Sequence, residues 1–88
     1  MYRVILEKSV QKFLQKHRGE KLIAQFTDSL RILAIEPYEN SLDIKVLVGL
    51  PNAYRLRIGK YRFLYEIIEE TIVINFFDAG SRGDIYNK

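Results

Sequence analysis

The sequence predicts an α+β fold: an N-terminal strand, a helical hairpin, and an antiparallel β-meander with the helices packed on one of its faces. Three observations predict it. Apolar residues recur with helical period from Val10 to Ala34, the period drops to two from Tyr54 onward, and Gly or Pro marks the changes. Tyr2-Arg3-Val4-Ile5-Leu6 is a run containing β-branched residues and reads as the first strand. From Ser9, Val10, Phe13 and Leu14 fall at i, i+3 and i+4, with Lys12, Gln15 and Lys16 between them, so a short amphipathic helix follows. His17-Arg18-Gly19 breaks it, Gly19 being suited to a left-handed helix C-cap. A second helix starts near Glu20, with Leu22, Ile23, Phe26, Leu30, Leu33 and Ala34 on one stripe. Pro37 ends it by restricting Glu36. The polar stretch from Pro37 to Asp43 is a loop, and Gly49-Leu50-Pro51-Asn52 is a turn. Strands over Tyr54–Ile58, Tyr61–Ile68 and Thr71–Phe77 are separated by Gly59-Lys60, a type II′ hairpin signal, and by Glu69-Glu70.

With 88 residues the chain makes a single domain spanning 1–88 around one modest core, which excludes a two-domain enzyme. Hydrophobic content of 48% beside 28% charged residues is globular composition. No cysteine is present, so disulfides, thiolate nucleophiles and cysteine-ligated metals are ruled out, and a single histidine argues against a His-rich zinc site. No cofactor is expected. The N-terminus carries Arg3, Glu7 and Lys8 without an apolar signal core, and nowhere do eighteen apolar residues run together. A cytoplasmic protein with no membrane partner is therefore expected. The net charge of +3 permits an anionic partner without requiring one.

Register follows from the first hairpin turn. If Ile58 faces Tyr61, then Arg57 faces Arg62, Leu56 faces Phe63, Arg55 faces Leu64 and Tyr54 faces Tyr65. A reversal at Glu69-Glu70 pairs Ile67 with Ile72, Tyr65 with Ile74 and Phe63 with Phe76. One face then carries Tyr54, Leu56, Ile58, Tyr61, Phe63, Tyr65, Ile67, Ile72, Ile74 and Phe76, which is the predicted core under the helices. The other carries Arg55, Arg57, Arg62, Glu66 and Asn75 with Leu64, Val73 and Phe77. Guanidiniums facing each other at Arg57 and Arg62 cost the hairpin about 0.2–1 kcal/mol unless an anion lies between them.

Read structurally, these arginines are a solvated outer face. Read functionally, three guanidiniums on one hairpin face suit a phosphate, because the planar donor fork binds two oxygens and its charge never titrates away. Gly80 and Gly83 flank a segment that can bring Arg82 and Tyr86 back to the rim of that face, Tyr86 offering a ring for stacking or a phenol for proton donation. Lys45 and Lys60 are further candidates for contacting an anionic backbone. His17 lies at the end of the first helix, far in sequence from the arginines, and reads as a surface helix-end residue. Asp43, Asp78 and Asp84 are scattered and read as solvated loop carboxylates rather than as a metal site. Leu64, Val73 and Phe77 form either a second small cluster under the C-terminal segment or a docking strip for a partner.

The ordered set Gly49-x-Pro51, Tyr54-Arg55-x-Arg57, Gly59-x-Tyr61-Arg62-x-x-Tyr65-Glu66, Gly80-x-Arg82 and Tyr86 resembles the RelE/ParE toxin superfamily, the RelE branch in particular, over essentially the whole chain. The resemblance implies the toxin of a type II toxin–antitoxin system: a ribosome-dependent endoribonuclease (messenger RNA interferase) that inhibits translation. Its partners would be a cognate antitoxin and messenger RNA in the ribosomal A site, with contacts to 16S ribosomal RNA. The implied reaction is attack of a ribose 2′-hydroxyl on the adjacent phosphate with loss of the 5′-oxygen, which needs a base, cationic stabilisation and an acid. Residue by residue, Arg55 and Arg57 stand where well-studied members place two basic residues. Arg62 and Arg82 match phosphate-stabilising arginines, and Tyr86 matches a terminal tyrosine beside the reacting nucleotides. Those members have lysine at the Arg55 and Arg57 positions, and arginine cannot give up its proton near neutrality. The base is thus open between Tyr86, Glu66, Asp84 and no protein base at all. Two other readings are a ParE-like toxin that binds DNA gyrase without nuclease activity, and an inactive relative that only pairs with an antitoxin.

Overall fold

A computed structural model describes residues 1–81 of the chain. Its elements, in order, are β1 (Arg3–Leu6), α1 (Lys8–Lys16), α2 (Lys21–Ile35), β2 (Ile44–Val46), β3 (Ala53–Ile58), β4 (Tyr61–Ile68) and β5 (Val73–Ser81). The sheet runs β1-β5-β4-β3-β2, with β1 parallel to β5 and every other pair antiparallel. The chain therefore begins at one sheet edge and must reach the other before β2. The helical hairpin makes that crossing over one face, which is the α+β arrangement expected.

The helices hold because their apolar stripes meet the aromatic face of the meander. Val10 of α1 and Leu22, Phe26 and Leu33 of α2 are buried against Leu56, Phe63, Tyr65, Ile67, Ile74 and Phe76. Phe63 is the hub: Phe26 stacks on it with ring centroids 4.3 Å apart and Phe13 meets it edge-on at 5.5 Å. Ser29 also lies on the buried side of α2, where its hydroxyl donates to the carbonyl of Gln25 and so stays satisfied. Gly19 closes the α1–α2 connection at φ +85°, a conformation that costs a residue with a Cβ but not glycine.

The β3–β4 register is as predicted, from Ile58↔Tyr61 through Arg57↔Arg62 to Tyr54↔Tyr65. Gly59 takes φ +60° and Lys60 does not enter the left-handed region, which agrees with the type II′ turn. The β4–β5 register differs from expectation. Ile67 pairs with Ile74 and Tyr65 with Phe76, two residues along from the predicted partners, because the reversal takes four residues, Glu69 to Ile72, rather than two. Ile72 is accordingly in the turn, half exposed and at φ +55°, and not in the core. A slip of two preserves which face each side chain occupies, so Ile74 and Phe76 still point inward. A bulge between Leu64 and Tyr65 leaves Phe77 without a cross-strand partner, and β5 continues through Asp78↔Leu64 and Gly80↔Arg62 to Ser81, beyond the predicted end at Phe77.

β2 was not predicted as a strand. It has only three residues, and Ile44 with Val46 gave too short an alternation to register; its pairing Lys45↔Arg55 places it at the edge beside β3. Leu64 and Val73, one reading of which was an exposed docking strip, are buried along with Ala53.

Candidate functional site

The outer face of the sheet, away from the helices, is ordered in rows set by the register. One row runs Lys45, Arg55, Leu64, Asp78; the next holds Arg57, Arg62 and Gly80. Asp43 extends the second row past the end of β2, since its carbonyl accepts a hydrogen bond from the Arg57 backbone N–H at 2.9 Å. The arginine face predicted from parity therefore exists, and its neighbours are now defined.

Arg55 and Arg57 share one carboxylate. Arg55 Nη2 donates to Asp43 Oδ1 at 2.7 Å, and Arg57 Nε donates to Asp43 Oδ2 at 2.7 Å. Asp43 is an exposed carboxylate in the loop before β2, as expected, but it is also ion-paired: partial desolvation pushes its carboxyl up, and the hydrogen bond and charge of Arg57, together with Arg55, outweigh that and hold it below the ordinary carboxylate range. The two arginines differ in exposure. The Arg55 side chain is 9% exposed, with Nε buried and without a hydrogen-bond partner among the described residues, whereas that of Arg57 is 48% exposed. Burial makes Arg55 an anchor, and only Arg57 of the pair reaches solvent.

Arg62, directly across from Arg57, has no carboxylate within ion-pair distance among the described residues; Nη1 donates weakly to the Lys60 carbonyl at 3.4 Å. Gly80 opposite it on β5 presents no side chain. Arg57, Gly59, Lys60 and Arg62 line an open cavity of about 510 Å³ at the hairpin tip, large enough for a phosphodiester with part of its sugars. Lys60 lies with Nζ 5.4 Å from the centroid of the Tyr61 ring. The arrangement gathers three positive groups, Arg57 and Lys60 exposed and Arg62 partly buried, around an open concavity, which is the chemistry of an oxyanion or phosphate site.

Other predicted residues fall elsewhere. Lys45 is exposed on β2, in the row of Arg55 and one strand removed from the cavity. Glu66, a candidate base, sits four residues along β4 from Arg62, about 13 Å at strand rise, and accepts a hydrogen bond from Asn75 Nδ2 at 3.1 Å. Asn75 also donates to Glu7 at 2.7 Å, so Glu66 belongs to a separate polar cluster. Asp78 lies within β5 rather than in a loop. His17 caps α1 but is mostly covered: its side chain is 15% exposed, its Nδ1 lies 2.9 Å from Glu20, and its ring packs on Phe13 and Tyr61. Arg82, Tyr86 and Asp84 lie outside the described residues.

The residue that sequence reading missed is Asp43. Its signal was parity: Asp43 and Lys45 share a face if 43–46 is extended, and an acid opposite Arg57 would follow. Recognising that required recognising β2.

Comparison with known proteins gives a consistent picture. A protein-family model described as the ParE toxin of type II toxin–antitoxin systems (parDE) matches residues 4–86. Among solved structures, a chain of the archaeal RelE–RelB complex from Pyrococcus horikoshii OT3 shares 32% identity, with 94% of this chain and 97% of that one covered at a TM-score of 0.77. A chain of the RelB–RelE antitoxin–toxin complex from Methanococcus jannaschii shares 28% identity over 94% of this chain and 95% of that one, TM-score 0.75. The isolated Escherichia coli RelE toxin shares the fold at 22% identity, covering 98% and 92%, with a TM-score of 0.76. No curated protein sequence matches the chain.

Proposed function

This chain belongs to the ParE toxin family of type II toxin–antitoxin systems, on the RelE branch of the RelE/ParE superfamily, and we propose that it is an endoribonuclease that cuts messenger RNA in the ribosomal A site. One observation carries this reading: Arg57 and Arg62 face each other across β3 and β4, with Lys60 at the turn, around a cavity that no carboxylate closes at Arg62 among the described residues. Facing cations are unfavourable in the free protein and become favourable when a dianionic phosphorane lies between them.

In the proposed reaction the ribose 2′-oxygen attacks the adjacent phosphorus, the P–O5′ bond breaks, and a 2′,3′-cyclic phosphate remains. Arg57, Arg62 and Lys60 stabilise the extra negative charge on the phosphorane. Arg82 and Tyr86 are proposed to complete the site, Tyr86 by stacking on or protonating the reacting nucleotides. Arg55 contributes from beneath, through Asp43, and Lys45 meets the flanking RNA or ribosomal RNA backbone. With Glu66 tied to Asn75, the proton acceptor is sought at Tyr86, at Asp84 or in the ribosomal substrate itself. A cognate antitoxin is the proposed protein partner, as RelB is for the two archaeal relatives.

The test is direct. Purified protein added to ribosomes programmed with a defined message should yield a cut within the A-site codon. Arg62→Ala should slow cutting by about 10²–10³-fold while the thermal melt stays close to wild type. Translation arrested on an intact message would overturn the nuclease reading.

The family description itself favours a second reading, a ParE-like toxin that binds DNA gyrase without cutting nucleic acid. A supercoiling assay separates the two: inhibition of gyrase with intact message supports this reading, and unchanged gyrase with cut message removes it.

A further inference from the structure

Asp43 sits where a negative charge would not be placed merely to attract RNA. It spends both oxygens on two guanidiniums, each at 2.7 Å, so it cancels one of the positive charges next to the cavity. On attraction alone it is a liability. What it provides is geometry. Arg55 is buried, with Nη2 donating to Oδ1, and therefore fixes the carboxylate from below. The backbone bond from Arg57 N–H to the Asp43 carbonyl fixes the same residue from the side. The carboxylate in turn takes Arg57 by Nε alone, so the plane of that guanidinium is set while both terminal nitrogens remain without a protein partner among the described residues. Arg57 stands directly across from Arg62 and lines the open cavity with it, so these donors are available on the cavity side of the sheet face.

We propose that Asp43 is a positioning residue for the cleavage reaction: anchored by Arg55, it holds the Arg57 guanidinium in the orientation that grips the scissile phosphate. The inference rests on the nuclease reading above. An exposed arginine on a flexible stem samples many rotamers, and Arg57 opposite Arg62 would swing away from its like-charged neighbour in the absence of a counter-ion. The clamp keeps it in place before RNA arrives, which is preorganisation of a transition-state donor at some expense in ground-state attraction.

Charge and position therefore predict opposite effects of the same substitution, and single-turnover cleavage on programmed ribosomes reads both. Asp43→Asn adds one net positive charge, so the toxin concentration giving half-maximal rate should stay level or fall, while the cleavage rate at saturation drops by about tenfold to a hundredfold. If Asp43 acts through Arg57, adding Asp43→Asn to Arg57→Ala should change that variant's rate by less than about twofold. Wild type that cuts and Asp43→Asn that cuts within about threefold of it would overturn the proposal and leave the nuclease reading standing. Equal slowing in the wild-type and Arg57→Ala backgrounds would overturn it too, as that pattern belongs to an independent acid or base. Should Asp43→Asn fail to fold, Asp43→Glu replaces it: the charge is kept and the carboxylate moves by one methylene, so slower cutting supports the proposal and wild-type cutting overturns it. Wild type that leaves the message intact defeats the nuclease reading first.

Discussion

A guanidinium can be buried only when something answers its charge, and Arg55 is tolerated at the sheet surface because Asp43 lies 2.7 Å away. The same pairing has a pH signature. The Asp43 carboxyl is held below its ordinary value of 3.8, so its contribution is present above that value and is lost as pH falls through the lower folded one. The difference in melting temperature between wild type and Asp43→Asn should therefore persist at neutral pH and close in the acid range below 3.8; a gap that widens there would contradict the pairing. Tyr65 offers the reverse case. Its hydroxyl is buried with no hydrogen-bond partner among the described residues, and burial pushes the phenol up. Tyr65→Phe removes a desolvated group while keeping the ring that stacks beside Tyr54, so equilibrium unfolding should show stability unchanged or raised by about 1 kcal/mol. A loss of that size would reveal a partner for the hydroxyl. Neither residue could be assigned its environment from sequence: Arg55 was placed on the correct face, but whether a face position is wet or covered depends on what crosses it.

Among the elements, the two turns of the meander show why one register was legible and the other was not. Gly59-Lys60 has turn chemistry that admits one geometry, and a two-residue loop fixes every later pair. Glu69-Glu70 has no such preference, and the chain goes on two residues further to turn at Ile72. A β-branched residue at φ +55° is strained, and this one is half exposed and packs little. Ile72→Asn should stabilise the fold by about 0.5–1 kcal/mol, a rise of several degrees in the melt of a domain this small. The reverse holds at Gly59, at φ +60°, where Gly59→Ala should cost about 1 kcal/mol although open space surrounds the position. If both substitutions left the melt unmoved, the turn geometries described here would be wrong. β2 escaped notice for a different reason. Three residues hold too little periodicity to separate a strand from a loop, and its existence depends on β3 lying beside it.

For the molecule as a whole, one carboxylate joins three distant parts of the chain. Glu69, in the β4–β5 turn, accepts from Tyr2 Oη before β1 and from Tyr38 Oη after α2. Hydrogen bonds to that carboxylate raise both phenols above the usual 10.0, and desolvation does the same to Tyr65. Since these phenols keep their protons in the fold at pH values where the unfolded chain loses them, the fold's stability is undiminished by their titration below pH 10 and falls as pH rises beyond it. Alkaline melts should fall steeply from that point, and less steeply for Tyr38→Phe; parallel curves would sink the idea. The same long-range closure places the site. β1 and β2 occupy opposite edges because the helical hairpin crosses the sheet between them, and β2 brings Asp43 to Arg57 from fourteen residues away in sequence.

The sequence by itself determined the α+β class, the helical hairpin, the aromatic core face, the β3–β4 register and hence the meeting of Arg57 with Arg62. Each of these follows from local periodicity or turn chemistry acting over a few residues. Tertiary structure alone decided that Arg55 is sunk, that Asp43 holds both arginines, that β5 bulges at Phe77, and that Glu66 turns to Asn75. Those outcomes are set by which side chains from separate strands compete for the same space and charge, and no pattern along a single segment records that competition.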